Sequence, residues 1–228
     1  MITLFELRGR DDRRYSLFSW RTRMALKHKG LPFDTQTVLM SDKKAIEFSG
    51  GKTVPVIRDG AAIVRDSWAI AQHLEAQYPG GFPLFGGAIG QGLAFTFNTW
   101  VDRVVVPAML PAIVADIFDR LDPADREHFR GNMEKYLGKT IEEAGTAAPQ
   151  ARERFSKAVD SMRSTLKRQP WICGPAPAYA DYVLFSVLQW ARVMSPVEML
   201  PSSDDPLRLW RERVLDLHGG FARDVKIA

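Results

Sequence analysis

The chain changes character once, between Tyr78 and Leu93, and that change limits the folds open to it. Before it, strand-like and helix-like segments alternate; after YPGGFPLFGGAIGQG, dense in glycine and proline, strand signals vanish. Ile2–Leu7 (ITLFEL) holds enough β-branched and aromatic character for a strand. The segment SLFSWRTRMALKHKG places Leu17, Trp20 and Met24 at helical spacing, crowds basic residues into its last turn and ends on Gly30, so it predicts a helix. Leu31–Leu39 predicts a second strand, followed by a short polar helix or loop through Phe48. TVPVI and AAIV form a hairpin split by Asp59-Gly60, and Asp66–Tyr78 is a helix with Ile70, Ala71, Leu74 and Tyr78 on one apolar stripe. The order βαβαββα makes a four-stranded mixed sheet flanked by helices. Leu93–Leu121, Pro123–Ala144, Ala151–Arg168 and Asp181–Val193 are all helical in pattern, with a shorter candidate at Pro206–His218. Two domains are therefore expected: an α/β unit over residues 1–82 and an all-α helical bundle over 92–228.

Composition narrows the function classes. A hydrophobic share of 46% with 25% charged residues is that of an ordinary globular protein, and no apolar run reaches the length of a membrane span. MITLFELRGRDD has no basic stretch followed by an apolar core, so no secretory leader is expected. A single cysteine, Cys173, excludes an internal disulfide framework and points to a cytoplasmic protein. The net charge of +4, from 31 basic and 27 acidic residues, is too small and scattered for a nucleic-acid binder. RGRDDRR, at Arg8–Arg14, reads either as a solvated loop or as an electropositive rim for an anionic ligand. His28, His73, His128 and His218 show no metal-ligand spacing, so no metal is expected, and His28 and His73 are expected on solvated helix faces. Cys173 is expected as a packed core thiol.

Two details do not fit an ordinary sheet protein. Pro55 interrupts the apolar run V-P-V-I, although proline has no N–H for a ladder and belongs on edges, bulges or special turns. Asp66-Ser67 then opens a helix. Capping explains one of the two residues; the pair adds a hydroxyl and backbone N–H groups at a positive dipole end, which suits a carboxylate.

A sheet unit with a Val54-Pro55 strand entry and an Asp66-Ser67 helix start, followed by a helical domain in which Ala180-Asp181 opens a late helix, resembles the glutathione S-transferase family over the whole chain. SLFSWRTRMALKHKG, RDSWAIAQHLEAQYP, EKYLGKTIEE and DDPLRLW resemble more narrowly the branch of bacterial glutathione-dependent β-etherases and fungal serine-type transferases. The resemblance implies a thioredoxin-like N-terminal domain, glutathione as co-substrate, a homodimer and a cis Val54–Pro55 bond. That bond turns the Val54 backbone toward a peptide ligand, a small-scale strand addition. It further implies that Asp66 and Ser67 hold the γ-glutamyl end, and that Ser16, four residues before Trp20, stands by the sulfur. Leu17 follows that serine where the family often has proline. A thiol has a pKa near 8.5, and a hydroxyl donor at a helix N-terminus stabilises the thiolate, so Ser16 would donate to sulfur and not attack. Tyr15 and Ser19 are alternatives for that role.

Thr53 stands where relatives carry a longer side chain that reaches glutathione, and Lys52 is its candidate substitute. Lys43 and Arg14 are candidates for the glycyl carboxylate. A small apolar electrophile is expected in the interdomain cleft against Phe97, Trp100 and Val104, although that stripe also suits core or dimer contact. Asp181 is expected to stabilise its helix without a catalytic role, its capping box incomplete because Ala178 replaces the hydroxyl residue. A non-catalytic glutathione or ligand binder and a glutathione-dependent isomerase are the rival functions.

Overall fold

The computed structural model describes residues 1–228. The strands are β1 (Ile2–Leu7), β2 (Phe33–Val38), β3 (Val56–Asp59) and β4 (Ala62–Arg65), in the order β2-β1-β3-β4. β1 runs parallel to β2 and antiparallel to β3, and β3 pairs antiparallel with β4. This is the mixed four-stranded sheet expected. The proline lies just outside it, because β3 begins at Val56. The hairpin turn falls one residue later than expected, on Gly60-Ala61, with Gly60 at φ +57° where a two-residue turn needs a positive φ.

Two helices complete this unit, α1 (Leu17–His28) and α2 (Ser67–Gln77). Leu17, Trp20 and Met24 of α1 are buried as their spacing requires, and so is Arg21, one turn after Leu17 on the same stripe, because this side of α1 also meets the second domain.

That domain holds α3 (Ala88–Trp100), α4 (Val106–Arg120), α5 (Arg126–Leu137), α6 (Ile141–Thr146), α7 (Ala148–Ala158), α8 (Asp160–Leu166), α9 (Tyr179–Met194) and α10 (Pro206–Gly220). Three of the expected helices, Leu93–Leu121, Pro123–Ala144 and Ala151–Arg168, are each divided, the last at Val159 between α7 and α8. α3 begins at Ala88, inside the glycine-rich stretch, because Gly90 packs where a Cβ would collide with the Phe85 carbonyl oxygen. α3 and α4 are joined by a π-helical turn, Val101–Val105. Pro107 lacks an N–H but falls in the first turn of α4, just after the wide turn closed by Val106 N–H to Val101 O, while Pro111 lies inside α4. The segment Pro123–Ala144 breaks at Gly138, φ +66°, before Thr140 caps α6.

α9 is the axis of this domain: all its residues except Arg192 are buried. Asp181, fully buried in its first turn, accepts hydrogen bonds from the backbone N–H groups of Ile172 (2.8 Å), Cys173 (3.2 Å) and Ala178 (3.2 Å) and from Trp210 Nε1 (2.8 Å). Ala178 returns no side-chain bond, so half a capping box is present, and Asp181 ties α10 to α9 besides. No helix is long and apolar enough to cross a membrane.

Candidate functional site

Strand register collects the candidate residues at one end of the sheet. Phe5 lies opposite Val56, Val56 opposite Arg65, and Leu7 opposite Val38. The loop before α1, the segment entering β3, the start of α2 and the exit from β2 therefore emerge together. Asp66 N–H bonds back to Pro55 O at 3.2 Å and joins two of them directly.

Ser16 is the N-cap of α1, with Oγ accepting from Ser19 N–H at 3.3 Å and its O–H donating to nothing in the chain. It keeps 8% exposure, whereas the Tyr15 and Ser19 hydroxyls are buried without any partner. Burial and the nearby charge of Asp125 raise the Tyr15 pKa, so its phenol stays protonated. The segment W-R-T fixes this corner: Trp20 Nε1 donates to Arg14 O at 2.8 Å, holding the chain just before Ser16 against the helix.

The Val54–Pro55 bond is cis, and neither the N–H nor the C=O of Val54 is hydrogen-bonded within the chain. Asp66 is an exposed non-glycine residue at φ 74°, ψ 133°. A conformation of that kind costs about 1–3 kcal/mol and is kept where the surroundings require it. Its Oδ1 accepts from Trp68 N–H (3.0 Å) and Ala69 N–H (3.1 Å), and its other oxygen has no partner. Ser67 is buried, makes no side-chain hydrogen bond, and is held from the helical domain by Tyr179 Oη, which donates to its carbonyl at 3.1 Å.

Lys52 and Thr53 are both exposed. Lys52 shares with Lys43, Lys44 and Glu47 a pocket of about 310 Å³ beside Gly50 and Gly51. Arg14, the other candidate for a carboxylate, is already engaged: it pairs with Glu6 at 2.7 Å, forks onto Asp12 at 2.9 and 3.1 Å and reaches Thr35 Oγ1 at 3.2 Å. Glu6 is buried and holds Arg23 as well, so Arg14 and Arg23 neutralise a core carboxylate.

The helical stripe expected against the second substrate divides. Phe97, its ring tilted against Trp100 at 5.3 Å, lines an apolar cavity of about 500 Å³ with Phe82, Leu93 and Ile172. His28 lines it too, and marks the C-terminal end of α1. Ser16 stands at the other end, roughly 18 Å away for a helix of this length. None of Ser16, Val54, Asp66 or Ser67 borders that cavity, so Phe97 is not brought to the Ser16 end, while Val104 is exposed within the π turn. His28 is also not solvated: Nδ1 meets Tyr182 Oη at 2.7 Å and Nε2 the Pro83 carbonyl at 3.2 Å. His73 likewise binds Asp59 at 2.9 Å. Cys173 is exposed on the loop before α9, not packed in the core, and local desolvation and the Asp181 carboxylate push its thiol pKa up. No group of residues in the structure could hold a metal ion.

Two residues that tie the domains together are absent from the sequence reading. Arg21, fully buried, donates to Asp102 (2.7 Å), Asn98 (3.0 Å) and Ser186 (3.3 Å). Asp125, also fully buried, accepts from Met40 and Ser41 at the exit of β2. The only sequence signals were a charged residue on the buried stripe of α1 and an aspartate at a helix start.

Comparison with known proteins decides the family. Residues 15–77 match the glutathione S-transferase N-terminal domain and residues 92–204 the glutathione S-transferase C-terminal domain. The chain belongs to the glutathione S-transferase family. The glutathione S-transferase-like protein ustS of Aspergillus flavus is 25% identical over 239 residues, covering 89% of this chain and 79% of its own. Among solved structures, glutathione transferase GSTFuA3 of Phanerochaete chrysosporium superposes with a TM-score of 0.84 at 24% identity, over 93% of this chain and 95% of its own. The glutathione S-transferase CsGST63524 of Ceriporiopsis subvermispora, solved in complex with glutathione, gives 0.85 at 23% identity over 100% and 99%.

Proposed function

We propose that the protein is a glutathione transferase of the serine type. The observation that carries this is the unpaired Val54 backbone, set between two helix N-termini that each offer a free side-chain group, the Ser16 O–H and the Asp66 carboxylate. Val54 N–H and C=O pair with the cysteinyl unit of glutathione as an added strand. Asp66, Ser67 and the α2 N-terminus hold the γ-glutamyl end, carboxylate to the helix and ammonium to Asp66. Lys52 and Lys43, beside Thr53, face the glycyl carboxylate. Ser16 donates to the sulfur, which favours the thiolate and supplies the nucleophile.

The second substrate is a small apolar electrophile, and resemblance to the β-etherase branch favours a β-aryl ether. The thiolate forms a bond to the carbon bearing the ether oxygen, the C–O bond breaks with its electron pair, and the aryloxide leaves to take a proton from water. Trp100 and Val104 on the α3–α4 rod are the candidate contacts. Ile89, Leu93 and Phe95 stand exposed along α3, which supports a homodimer through that helix. A reducing, cytoplasmic setting suits a glutathione-dependent enzyme with one unpaired cysteine. The test is a panel of β-aryl ethers and generic aryl electrophiles incubated with glutathione. Release of free phenol with a matching glutathione thioether is expected. Conjugation of the generic electrophiles alone removes the ether reading. Glutathione binding without any conjugation leaves a binder or an isomerase.

A further inference from the structure

The corner between α4 and α5 belongs to the helical domain, yet its polar groups are turned to the other one. Asp125 immediately precedes α5, where an aspartate ordinarily caps the helix through its side chain. It makes no capping bond there. Instead Oδ2 accepts from Met40 N–H at 2.9 Å, while Oδ1 accepts from Ser41 N–H at 2.8 Å and Ser41 Oγ at 2.7 Å. The residue is fully buried and has no basic partner. A buried carboxylate is tolerated only where hydrogen bonds compensate its charge, and here all of them come from two residues. Three residues earlier, Asp122 pairs with Arg8 at 3.1 Å and pins the same corner to the loop leaving β1.

Met40 and Ser41 are where β2 ends and the segment toward Val54-Pro55 begins. Asp42 Oδ1 then accepts from Ala45 N–H at 3.2 Å, a short 3-10 turn covers Lys44–Ser49, and Lys43 and Lys52 line their shared pocket. The start of that segment is thus held by a group from outside its own domain.

We propose that Asp125 is a positioning residue for glutathione: from the helical domain it fixes the segment that presents Lys43 and Lys52 to the glycyl carboxylate. This rests on the functional reading above. It also means that the helical domain governs affinity for the co-substrate without touching it.

The test compares glutathione with its glycyl monoethyl ester, which lacks that carboxylate, by calorimetric titration of the full chain. The parent protein should prefer glutathione by about tenfold, the scale of one charged hydrogen bond. Asp125→Ala should erase most of that preference while binding the ester within about threefold of the parent, and Ser41→Ala, which removes one donor and disturbs folding least, should reduce the preference in part. Lys43→Ala with Lys52→Ala should erase the preference in the parent and change nothing further in Asp125→Ala. Equal weakening of both ligands, or lower urea stability with an unchanged preference, would show that Asp125 only joins the domains and would overturn the inference alone. A parent protein that binds neither ligand overturns the functional reading and this inference with it.

Discussion

Asp66 has three separable jobs, and three substitutions separate them. Its Oδ1 caps α2 through two N–H groups, its backbone sits at φ 74°, and its free oxygen is offered to the glutathione ammonium. Asp66→Asn keeps the capping oxygen and removes the charge, so stability should stay within about 0.5 kcal/mol of the parent. Asp66→Ala loses the cap, about 1 kcal/mol, and keeps the unfavourable φ. Asp66→Gly also loses side-chain capping, which costs glycine only a few tenths, and it sheds the 1–3 kcal/mol conformational cost for about 0.5–1 kcal/mol of chain entropy. It should therefore exceed Asp66→Ala by roughly 1–3 kcal/mol and match or exceed the parent. Glutathione affinity should follow a different order. All three variants lack the charge, and loss of a charged hydrogen bond of about 1.5 kcal/mol weakens binding by roughly tenfold in each. Urea unfolding and isothermal titration read the two quantities independently. If affinity instead tracks stability, with Asp66→Asn binding like the parent, the carboxylate is only a cap and the assignment of the γ-glutamyl end is wrong.

The buried Arg21 should show an asymmetry that urea unfolding can measure. Asp102→Asn leaves a guanidinium with 1% exposure uncompensated and should cost about 3–5 kcal/mol, whereas Arg21→Met leaves an aspartate that is 30% exposed and still bonded by Asn98, and should cost less. The double variant should fall short of the sum; strict additivity would mean that the pair does not interact. The His218 pKa is pushed down to about 4 by burial and by the neighbouring His28 and Lys27 charges. Between that value and the ordinary one near 6.5 the unfolded chain binds a proton that the folded chain does not, so stability is complete above pH 6.5 and falls as the solution is acidified through the window. With the ring half-exposed, the loss is about 1 kcal/mol. His218→Asn, which tolerates the left-handed φ of 54° at this position, should flatten that slope in denaturant titrations across the window; an unchanged slope would place its origin elsewhere.

What could be read from the sequence was whatever lies within a few residues. Trp20 and Met24 announced the buried face of α1, Asp66-Ser67 announced a helix start, and the loss of alternation after the hairpin announced a helical domain. Local patterning misjudged positions where a distant partner decides. Gly90 looked like linker, but it lets α3 begin early against the Phe85 carbonyl. Arg14 looked like an anion ligand because its partner Glu6 was read only as part of a strand. Asp125 showed only as an aspartate at a helix start, since Ser41 lies 84 residues away and the side chain turns from the helix it precedes. The apolar spacing of Phe97, Trp100 and Val104 was real, but periodicity does not say toward which cavity a stripe faces, and Phe97 turned to the far end of α1.

The role of Ser16 is tested most directly by the ionisation of bound glutathione. Its thiolate is followed by ultraviolet absorbance across pH in the parent protein and in Ser16→Ala. The parent should bind glutathione with the thiol pKa lowered by about 1–2 units from its ordinary value near 8.5, and Ser16→Ala should return most of that shift while still binding. A bound thiol that keeps its ordinary pKa in the parent contradicts the enzyme reading, and a lowered pKa that survives Ser16→Ala removes Ser16 from the role given to it here.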